Sequence, residues 1–233
     1  MDLIETLRTT GAIREFTDEP VPDEVVARLL ETARFAPSGG NRQGWRVVLV
    51  KDPDVRRQVR DLYLMGWYDY LAMMLAGLTP WAPVTDRAAE AEALVEAPKL
   101  AAQAAVSEEA GRRGFAEHVD EVPVLLVLWA DLKALAAVDR DLDRYTFAGG
   151  ASIYPFAWNL LLAARSEGLG GVITTMPIGQ EAAMRELFGA PDHYAVAGVI
   201  ALGHPVHQPT RLQRAAVASF TTVDRVDGTP FPS

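Results

Sequence analysis

The sequence predicts an α+β domain, in which helices and strands are mixed without the regular alternation of a parallel α/β fold. Segments with apolar residues at three- and four-residue intervals are separated irregularly by short β-branched runs, so a repeated strand–helix–strand unit is absent. The chain has 233 residues, of which 49% are apolar, and this is enough to bury one large core. No internal repeat divides it. We therefore predict a single domain over residues 1–233.

The first part of the chain is predicted to form two helices, a loop and a strand. A helix precedes a connector at residues 17–22, and proline followed by two acids favours the start of a second helix, from Pro22 to Arg34. Because the residue before a proline avoids the α region, this helix ends at Ala36-Pro37. A loop follows and leads into a strand from Trp45 to Lys51. One stripe of the second helix is apolar: Val25, Val26, Leu29, Leu30 and Ala33.

The later elements follow from the same kinds of signal. The β-branched apolar run from Val122 to Ala130 is typical of a central strand. The apolar segment from Phe147 to Glu167 is predicted as a helix that ends at the C-cap glycine Gly168. Residues 204–233 show little periodicity, so we predict a C-terminal extension that wraps a surface. The other elements are helices at residues 54–64, 88–109 and 180–188 and strands at residues 171–174 and 194–202.

Residues 65–85 contain an unusual density of aromatic and methionine side chains. These are Trp67, Tyr68, Tyr70, Met73, Met74 and Trp81. One interpretation is a pair of helices that pack into the core. The other is a lid over a flat hydrophobic substrate, because aromatic and methionine side chains suit adaptable apolar pockets.

Charge and composition exclude several classes of function. The formal net charge of −9 and the pI near 5.0 provide no basic field for the phosphate backbone, so we predict no nucleic-acid partner. Apolar runs stay under ten residues, whereas a membrane span needs about 20. The N-terminus is charged and has no leader pattern, so we expect a cytoplasmic protein without a membrane partner. With no cysteine, redox chemistry requires a bound cofactor.

Two motif-like patterns are better explained without a ligand. His204 and His207 lack further ligands at suitable spacing, so we predict solvated loop histidines and no metal site. The run Gly168-Leu169-Gly170-Gly171 follows a helix and enters a strand. A dinucleotide-binding loop has the opposite order, which aims a helix N-terminus at the pyrophosphate. We therefore reject a Rossmann site.

Three separated segments carry the functional signal. They are the run from Gly11 to Phe16 after Arg8, the run Ala36-Pro37-Ser38-Gly39-Gly40-Asn41-Arg42-Gln43-Gly44-Trp45, and residues 168–179, which end in Met176-Pro177-Ile178-Gly179. In this order the chain resembles the nitroreductase family over essentially its whole length, including the final Ala-Leu-Gly-His-Pro. The family pattern begins with an arginine–serine stretch, continues with A-P-S-x-x-N-x-Q-P-W and returns with a G-L-G strand and a proline-containing loop.

The second segment has the residue types that a flavin site requires. The isoalloxazine ring presents donors and acceptors along its edges, so a loop of short polar groups and open backbone suits it. Ser38, Asn41 and Gln43 supply the polar groups. Pro37 begins the loop, and Gly39 with its neighbour Gly40 lets the main chain approach closely.

The resemblance assigns further roles residue by residue. Arg14 matches the cation at the pyrimidine edge of FMN, where it would stabilise negative charge on the reduced ring. Pro177, Ile178 and Gly179 match the loop whose backbone approaches the hydride-accepting edge. Arg214, with Arg211 nearby, matches the basic C-terminal position that pairs with the FMN phosphate. The first segment departs from the family pattern, because Thr10 and Ala12 replace a phosphate-binding arginine and a serine. Gly44 replaces the proline before Trp45.

The resemblance implies a central mixed β-sheet flanked by helices and an intertwined homodimer with two FMN sites at its interface. Each site would take residues 37–43 from one subunit and the other motifs largely from its partner. The implied reaction is ping-pong transfer of hydride from NADH or NADPH through FMN to a small aromatic or quinoid substrate. No catalytic side chain is named, because the flavin carries the chemistry. The alternatives are a protein that sequesters flavin without turnover, and a relative that dehalogenates substrates or fragments flavin.

Overall fold

The computed structural model, which describes residues 2–109 and 114–232, is built on a four-stranded sheet. The strands are β1 (Trp45–Leu49), β2 (Val124–Asp131), β3 (Gly170–Thr174) and β4 (Tyr194–Gly203), in the spatial order β1-β2-β4-β3. All three neighbouring pairs are antiparallel. The α+β class is confirmed, but the prediction of a mixed sheet is wrong for these strands. Among the described residues, parallel pairing occurs only in the isolated bridge between Ala12 and Gly171.

Seven helices lie within the described ranges, and four of them pack against the sheet. The seven are α1 (Leu3–Thr9), α2 (Asp23–Ala33), α3 (Pro53–Leu75), α4 (Arg87–Leu94), α5 (Ala97–Glu109), α6 (Tyr154–Ser166) and α7 (Glu181–Phe188). Helices α1, α3 and α4 begin with aspartate caps, whose carboxylates accept backbone N–H groups of the first turn. Helices α2 and α6 cover one face of the sheet and helices α3 and α7 cover the other, and each face has its own core.

The first core lies between the sheet, α2 and α6. The apolar stripe of α2 is directed inward as predicted, with Leu29 and Ala33 fully buried. Trp45 of β1 stacks on Phe156 of α6, with the ring centroids 4.9 Å apart. This core holds α6 and the segment before it against the strand that follows the 37–43 loop.

The second core lies on the opposite face, beneath α3 and α7. Val59 and Tyr63 of α3 pack with Met184 of α7 and with Trp129 of β2, and all four are buried. Strand β2 is buried along nearly its whole length. It contributes alternate side chains to both cores, as a central strand does.

Three helix boundaries differ from the sequence-based predictions. Helix α3 continues through residues 65–75, so most of the aromatic stretch is helical. The predicted helix at 88–109 is two helices, because Pro98 lies in the first turn of α5, where proline is tolerated and the preceding chain cannot continue as a helix. The small residues 148–152 form a 3₁₀ turn, and α6 begins after them at Tyr154.

Residues after Gly203 contact the N-terminal part of the chain. Thr17 donates its backbone N–H to the carbonyl of His204, and Gln208 Nε2 donates to the carbonyl of Thr9 at 3.0 Å. These contacts join the extension to the first functional segment. In the described part of the chain, no helix is long and apolar enough to cross a membrane.

Candidate functional site

The loop at residues 37–43 is held in a strained backbone conformation. Gly40, Asn41 and Gln43 have φ angles of 61°, 54° and 51°. Glycine adopts the left-handed region freely and asparagine tolerates it, whereas glutamine is uncommon there. Strain of this kind persists where the surrounding structure enforces it and is concentrated at functional sites.

Hydrogen bonds fix the conformation of the loop. The backbone N–H of Gln43 donates to Ser38 Oγ at 2.9 Å, and the backbone N–H of Gly39 donates to Ser152 Oγ at 3.0 Å. The side-chain amide of Gln43 also donates to Asn41 Oδ1 at 3.2 Å. The side chains of Pro37, Asn41 and Gln43 nevertheless remain exposed. The loop thus presents preorganised polar groups to its surroundings.

A broad apolar groove begins at this loop. Its volume is about 1100 Å³, and it is lined on one side by Pro37, Ser38 and Gly39. Phe147, which is 73% exposed, and Trp158, which is 41% exposed, lie on the other side. Exposed aromatic side chains in one continuous groove indicate a surface that binds another molecule.

A second group of predicted residues lies around the end of β3. Thr174 Oγ1 donates to the hydroxyl of Tyr63 at 3.2 Å. Burial raises the pKa of Tyr63, and the nearby positive charge of Arg14 acts in the opposite direction. Arg14 itself is exposed. Strand β3, α3 and the first segment therefore meet at this point.

The turn after β3 brings open backbone to the same place. Pro177 is buried and Ile178 packs against the second core, which fixes the turn from below. Gly179 is exposed, and a Cβ atom built on it would meet nothing within 4 Å. The main chain at Gly179 is thus accessible to a flat ligand.

Helix α3 packs closely against this turn through a glycine. A Cβ atom on Gly66 would lie 2.4 Å from the carbonyl oxygen of Met176, so only glycine fits there. The next residue, Trp67, is half-buried and stacks on Tyr70 at 5.6 Å. Tyr68 donates to Glu117 at 3.3 Å, and burial together with the carboxylate raises the pKa of Tyr68 to about 12. The aromatic stretch is thus anchored in the core on one side and lies beside the turn at residues 176–179.

The first segment offers fewer polar groups than the family pattern has. Thr10 is buried, and its hydroxyl donates to the carbonyl of Thr6 at 2.7 Å, so this donor is already used inside α1. Gly11 is covered by the C-terminal extension, because a Cβ atom there would lie 3.1 Å from Leu212 Cδ2. The neighbouring Arg211 is exposed, as is Arg8. Arg214 is also exposed and donates to the carbonyl of Gln213 at 2.7 Å.

Several residues at these places were not found from the sequence. Ser152, which accepts from Gly39, is 113 residues away along the chain. Arg165 donates its Nε–H to Thr9 Oγ1 at 3.1 Å, and Tyr63 meets Thr174 at the end of β3. No motif or spacing joins these pairs, and only the tertiary fold brings them together.

Arg14 and the first residues of the 37–43 loop line different cavities of the chain. Arg14 lines a cavity of about 1180 Å³ with the start of α3 and residues 118–123. The lining of this cavity shares no residue with the groove at Pro37–Gly39. In the described ranges no group of three or more histidine, aspartate or glutamate residues is placed to hold a metal ion.

Comparison with known proteins gives a consistent assignment. Iodotyrosine deiodinase 1 of Rattus norvegicus is 26% identical over 204 residues, which cover 88% of this chain and 62% of the rat protein. An NADH dehydrogenase of Thermus thermophilus is 27% identical over 224 residues, which cover 84% of this chain and 83% of that protein. The solved structure of NADPH:FMN oxidoreductase from Vibrio harveyi, complexed with NAD⁺, has a TM-score of 0.62 and 23% identity and covers 95% of this chain and 76% of that one. The model of the nitroreductase family matches residues 7–204, and the chain belongs to that family.

Proposed function

We propose that this protein is an FMN-dependent oxidoreductase that takes hydride from NADH or NADPH and passes the electrons to a small flat acceptor. The loop at residues 37–43 carries the proposal. Two of its three left-handed residues, Asn41 and Gln43, are not glycine, and such a conformation costs a non-glycine residue on the order of 1–3 kcal/mol. The strained backbone leaves the amides of Asn41 and Gln43 exposed, and these groups suit the donor and acceptor edge of an isoalloxazine ring.

The groups at both ends of the proposed site fit FMN. At the ring end, the exposed amides of the loop and the open backbone of Gly179 can approach a planar edge. At the phosphate end, Arg8, Arg211 and Arg214 are exposed guanidinium groups, which suit a phosphate dianion. Gln208, whose Nε2 donates to the carbonyl of Thr9, has a buried Oε1 without a hydrogen-bond partner among the described residues, and this oxygen would accept from a ribityl hydroxyl.

The residues of the chain bind and orient, and the bound FMN supplies the hydride acceptance and electron transfer. Arg14 would place a positive charge at the pyrimidine edge of the flavin, where negative charge would develop on reduction. Ser38 holds the loop through its bond from Gln43. No side chain is required as a nucleophile, and protons come from solvent.

The site is proposed to be completed by a second copy of the chain. One subunit presents the 37–43 loop and Arg14 on surfaces that share no cavity-lining residue. A homodimer that buries the groove around Phe147 and Trp158 would bring the loop of one subunit to the Arg14 group of its partner. This arrangement would also cover aromatic side chains that are 73% and 41% exposed in the single chain.

Reductive dehalogenation of an aromatic substrate is a second candidate. The deiodinase of Rattus norvegicus is 26% identical over 88% of this chain, which makes it about as similar as the NADH dehydrogenase of Thermus thermophilus, at 27% over 84%. The stacked pair of Trp67 and Tyr70 beside the turn at 176–179 would suit an aromatic substrate under a lid. The carbon–halogen bond would break and a carbon–hydrogen bond would form, with two electrons from the reduced flavin and one proton balancing the release of halide.

The visible spectrum of the purified protein, followed by anaerobic addition of NADH or NADPH, tests the proposal. We expect bound flavin absorbance that bleaches with the nicotinamide and recovers when a quinone or nitroaromatic is added. Bleaching that recovers only with a halotyrosine, with release of halide, would select the second candidate. Bound flavin that neither nicotinamide reduces would indicate a flavin-sequestering protein, and fragmentation of the flavin in air would indicate the flavin-fragmenting alternative. Failure to bind any flavin would overturn the proposal.

A further inference from the structure

The segment between β2 and α6 is folded around one buried carboxylate. Asp139 is 3% exposed and accepts hydrogen bonds from four residues. Thr146 Oγ1 donates at 2.8 Å, the backbone N–H of Phe147 at 2.9 Å, Arg144 Nη1 at 3.0 Å and the backbone N–H of Ala148 at 3.2 Å. These bonds tie the chain at residues 144–148 back to residue 139.

The carboxylate of Asp139 has a structural role in this segment. Buried polar groups are costly unless they are paired, and Asp139 satisfies two backbone N–H groups where the 3₁₀ turn at 148–152 begins. The hydrogen bond from Phe147, assisted by those from Thr146 and Arg144, holds the pKa of Asp139 well below its usual range. The start of the turn is thereby fixed.

The other end of the same turn meets the 37–43 loop. Ser152 is its last residue, and Ser152 Oγ accepts the backbone N–H of Gly39 at 3.0 Å. A Cβ atom on Gly39 would lie 3.4 Å from Ala136 Cβ and 3.5 Å from Ser152 Oγ. The segment therefore contacts the loop both before and after Asp139 in sequence.

We propose that Asp139 is a positioning residue for the 37–43 loop, which it orders through the turn at 148–152 and the bond from Gly39 to Ser152. The hydrogen bonds of Asp139 go to residues 144–148 and not to the loop itself. Its bearing on flavin binding rests on the proposed function of that loop, whereas its effect on the order of the loop does not. A small displacement of the turn would remove the Ser152 contact and release Gly39.

Amide hydrogen exchange in the flavin-free protein tests the structural step. Asp139→Asn should speed exchange in peptides that contain residues 38–43 by roughly five- to tenfold, as expected for the loss of about one hydrogen bond, and leave the β2–β4 ladder unchanged. Ser152→Ala should give the same increase at 38–43. The double variant should exchange no faster at residues 38–43 than either single variant, because both changes remove the same contact between Gly39 and Ser152.

Two further variants serve as a matched control and as a milder substitution. Asp141→Asn makes the same chemical change two residues away, at a side chain that is 85% exposed and paired only with Arg140 in the described contacts, and it should leave the loop unchanged. If Asp139→Asn fails to fold, Thr146→Val removes a single donor to the carboxylate and should give a smaller increase at 38–43. Unchanged exchange at 38–43 with faster exchange at 139–148, or additive effects in the double variant, would overturn the proposal.

Flavin affinity separates the positioning role from general loss of structure. The loop is assigned to the ring, so Asp139→Asn should weaken the binding of FMN and of riboflavin by the same factor. A variant that weakens FMN alone would place the effect at the phosphate end and contradict the proposal. If the unmodified protein binds no flavin, the proposed function fails, and the hydrogen-exchange result still decides whether Asp139 positions the loop.

Discussion

Arginine side chains in this protein have different tasks that depend on their partners. Arg56 lines the same cavity as Arg14, yet its guanidinium donates to the backbone carbonyls of Asp120, Val50 and Val122. Burial lowers the pKa of Arg56. The three hydrogen bonds join α3, which carries Arg56, to the ends of β1 and β2. Arg56 is therefore structural, whereas the exposed Arg214 is available to a ligand.

The phosphate end can be tested with one arginine and two flavins. Because Thr10 donates inside α1, we expect Arg214, with Arg211, to supply the charge that the first segment lacks. Arg214→Ala should weaken FMN binding roughly tenfold to a hundredfold, as loss of a charged hydrogen bond of about 1.5–3 kcal/mol implies. Riboflavin, which has no phosphate, should bind equally to both proteins in a fluorescence titration. Equal affinity of the unmodified protein for FMN and riboflavin would mean that no working phosphate pocket exists.

The strained loop predicts a conflict between stability and binding at Gln43. Replacement by glycine relieves a left-handed conformation that costs a side-chain-bearing residue about 1–2 kcal/mol, and the entropy of glycine offsets part of this gain. Gln43→Gly should therefore leave the free energy of unfolding unchanged or raise it by up to about 1 kcal/mol, while flavin affinity falls.

Arg42 provides a matched control for this measurement. Its φ of −79° is ordinary, so Arg42→Gly gains no relief of strain and should lower the free energy of unfolding by about 0.5–1 kcal/mol. Urea unfolding of the two variants without flavin checks the difference. A larger loss of stability for Gln43→Gly than for Arg42→Gly would contradict the strain argument.

At the scale of elements, the sequence predicts best where a segment's own pattern decides its structure. Helix α2 and strand β2 are confirmed within two residues, because an apolar stripe and a β-branched run specify them locally. The extent of α3 was missed, since glycine is a poor helix former and the sequence does not show that Gly66 lets the helix pack closely on Met176 of a distant turn. The 3₁₀ turn before α6 was also missed, because its geometry depends on the carboxylate of Asp139.

The packing of α3 on the turn at 176–179 gives an element-scale prediction. Helix propensity alone would favour alanine over Gly66 by about 0.5–1 kcal/mol. A Cβ atom at this position would lie 2.4 Å from the carbonyl oxygen of Met176, and this clash outweighs the gain in helix propensity. Gly66→Ala should therefore lower the free energy of unfolding by about 1–3 kcal/mol, as overpacking does.

Gly179 is the matched control in the same turn. A Cβ atom there meets nothing, so Gly179→Ala should leave the free energy of unfolding within about 0.5 kcal/mol and still weaken flavin binding by blocking the approach of the ring. Thermal unfolding without flavin and a flavin titration measure the two effects. Equal stability of the two variants would refute the packing argument.

For the whole molecule, the sequence predicts residues of the site but not their spatial relation. The three segments were recognised in order, yet nothing in their spacing indicates that Arg14 and the 37–43 loop line different cavities of one chain. The support of the loop by Ser152, 113 residues away, is also a property of the tertiary fold. The single chain thus explains how each group is held, and the proposed dimer would join them.

A mixture of two inactive variants tests whether the site is shared between subunits. Arg14→Ala and Asn41→Ala should each weaken flavin binding when they form homodimers. In a hybrid dimer, one site would contain both substitutions, and the other would combine the intact loop of one subunit with the intact Arg14 of its partner. After unfolding and refolding of an equal mixture, random pairing should restore native affinity to roughly one site in four. If each site lies within a single subunit, every site keeps one substitution and the mixture regains no high-affinity binding, so the titration distinguishes the two arrangements directly.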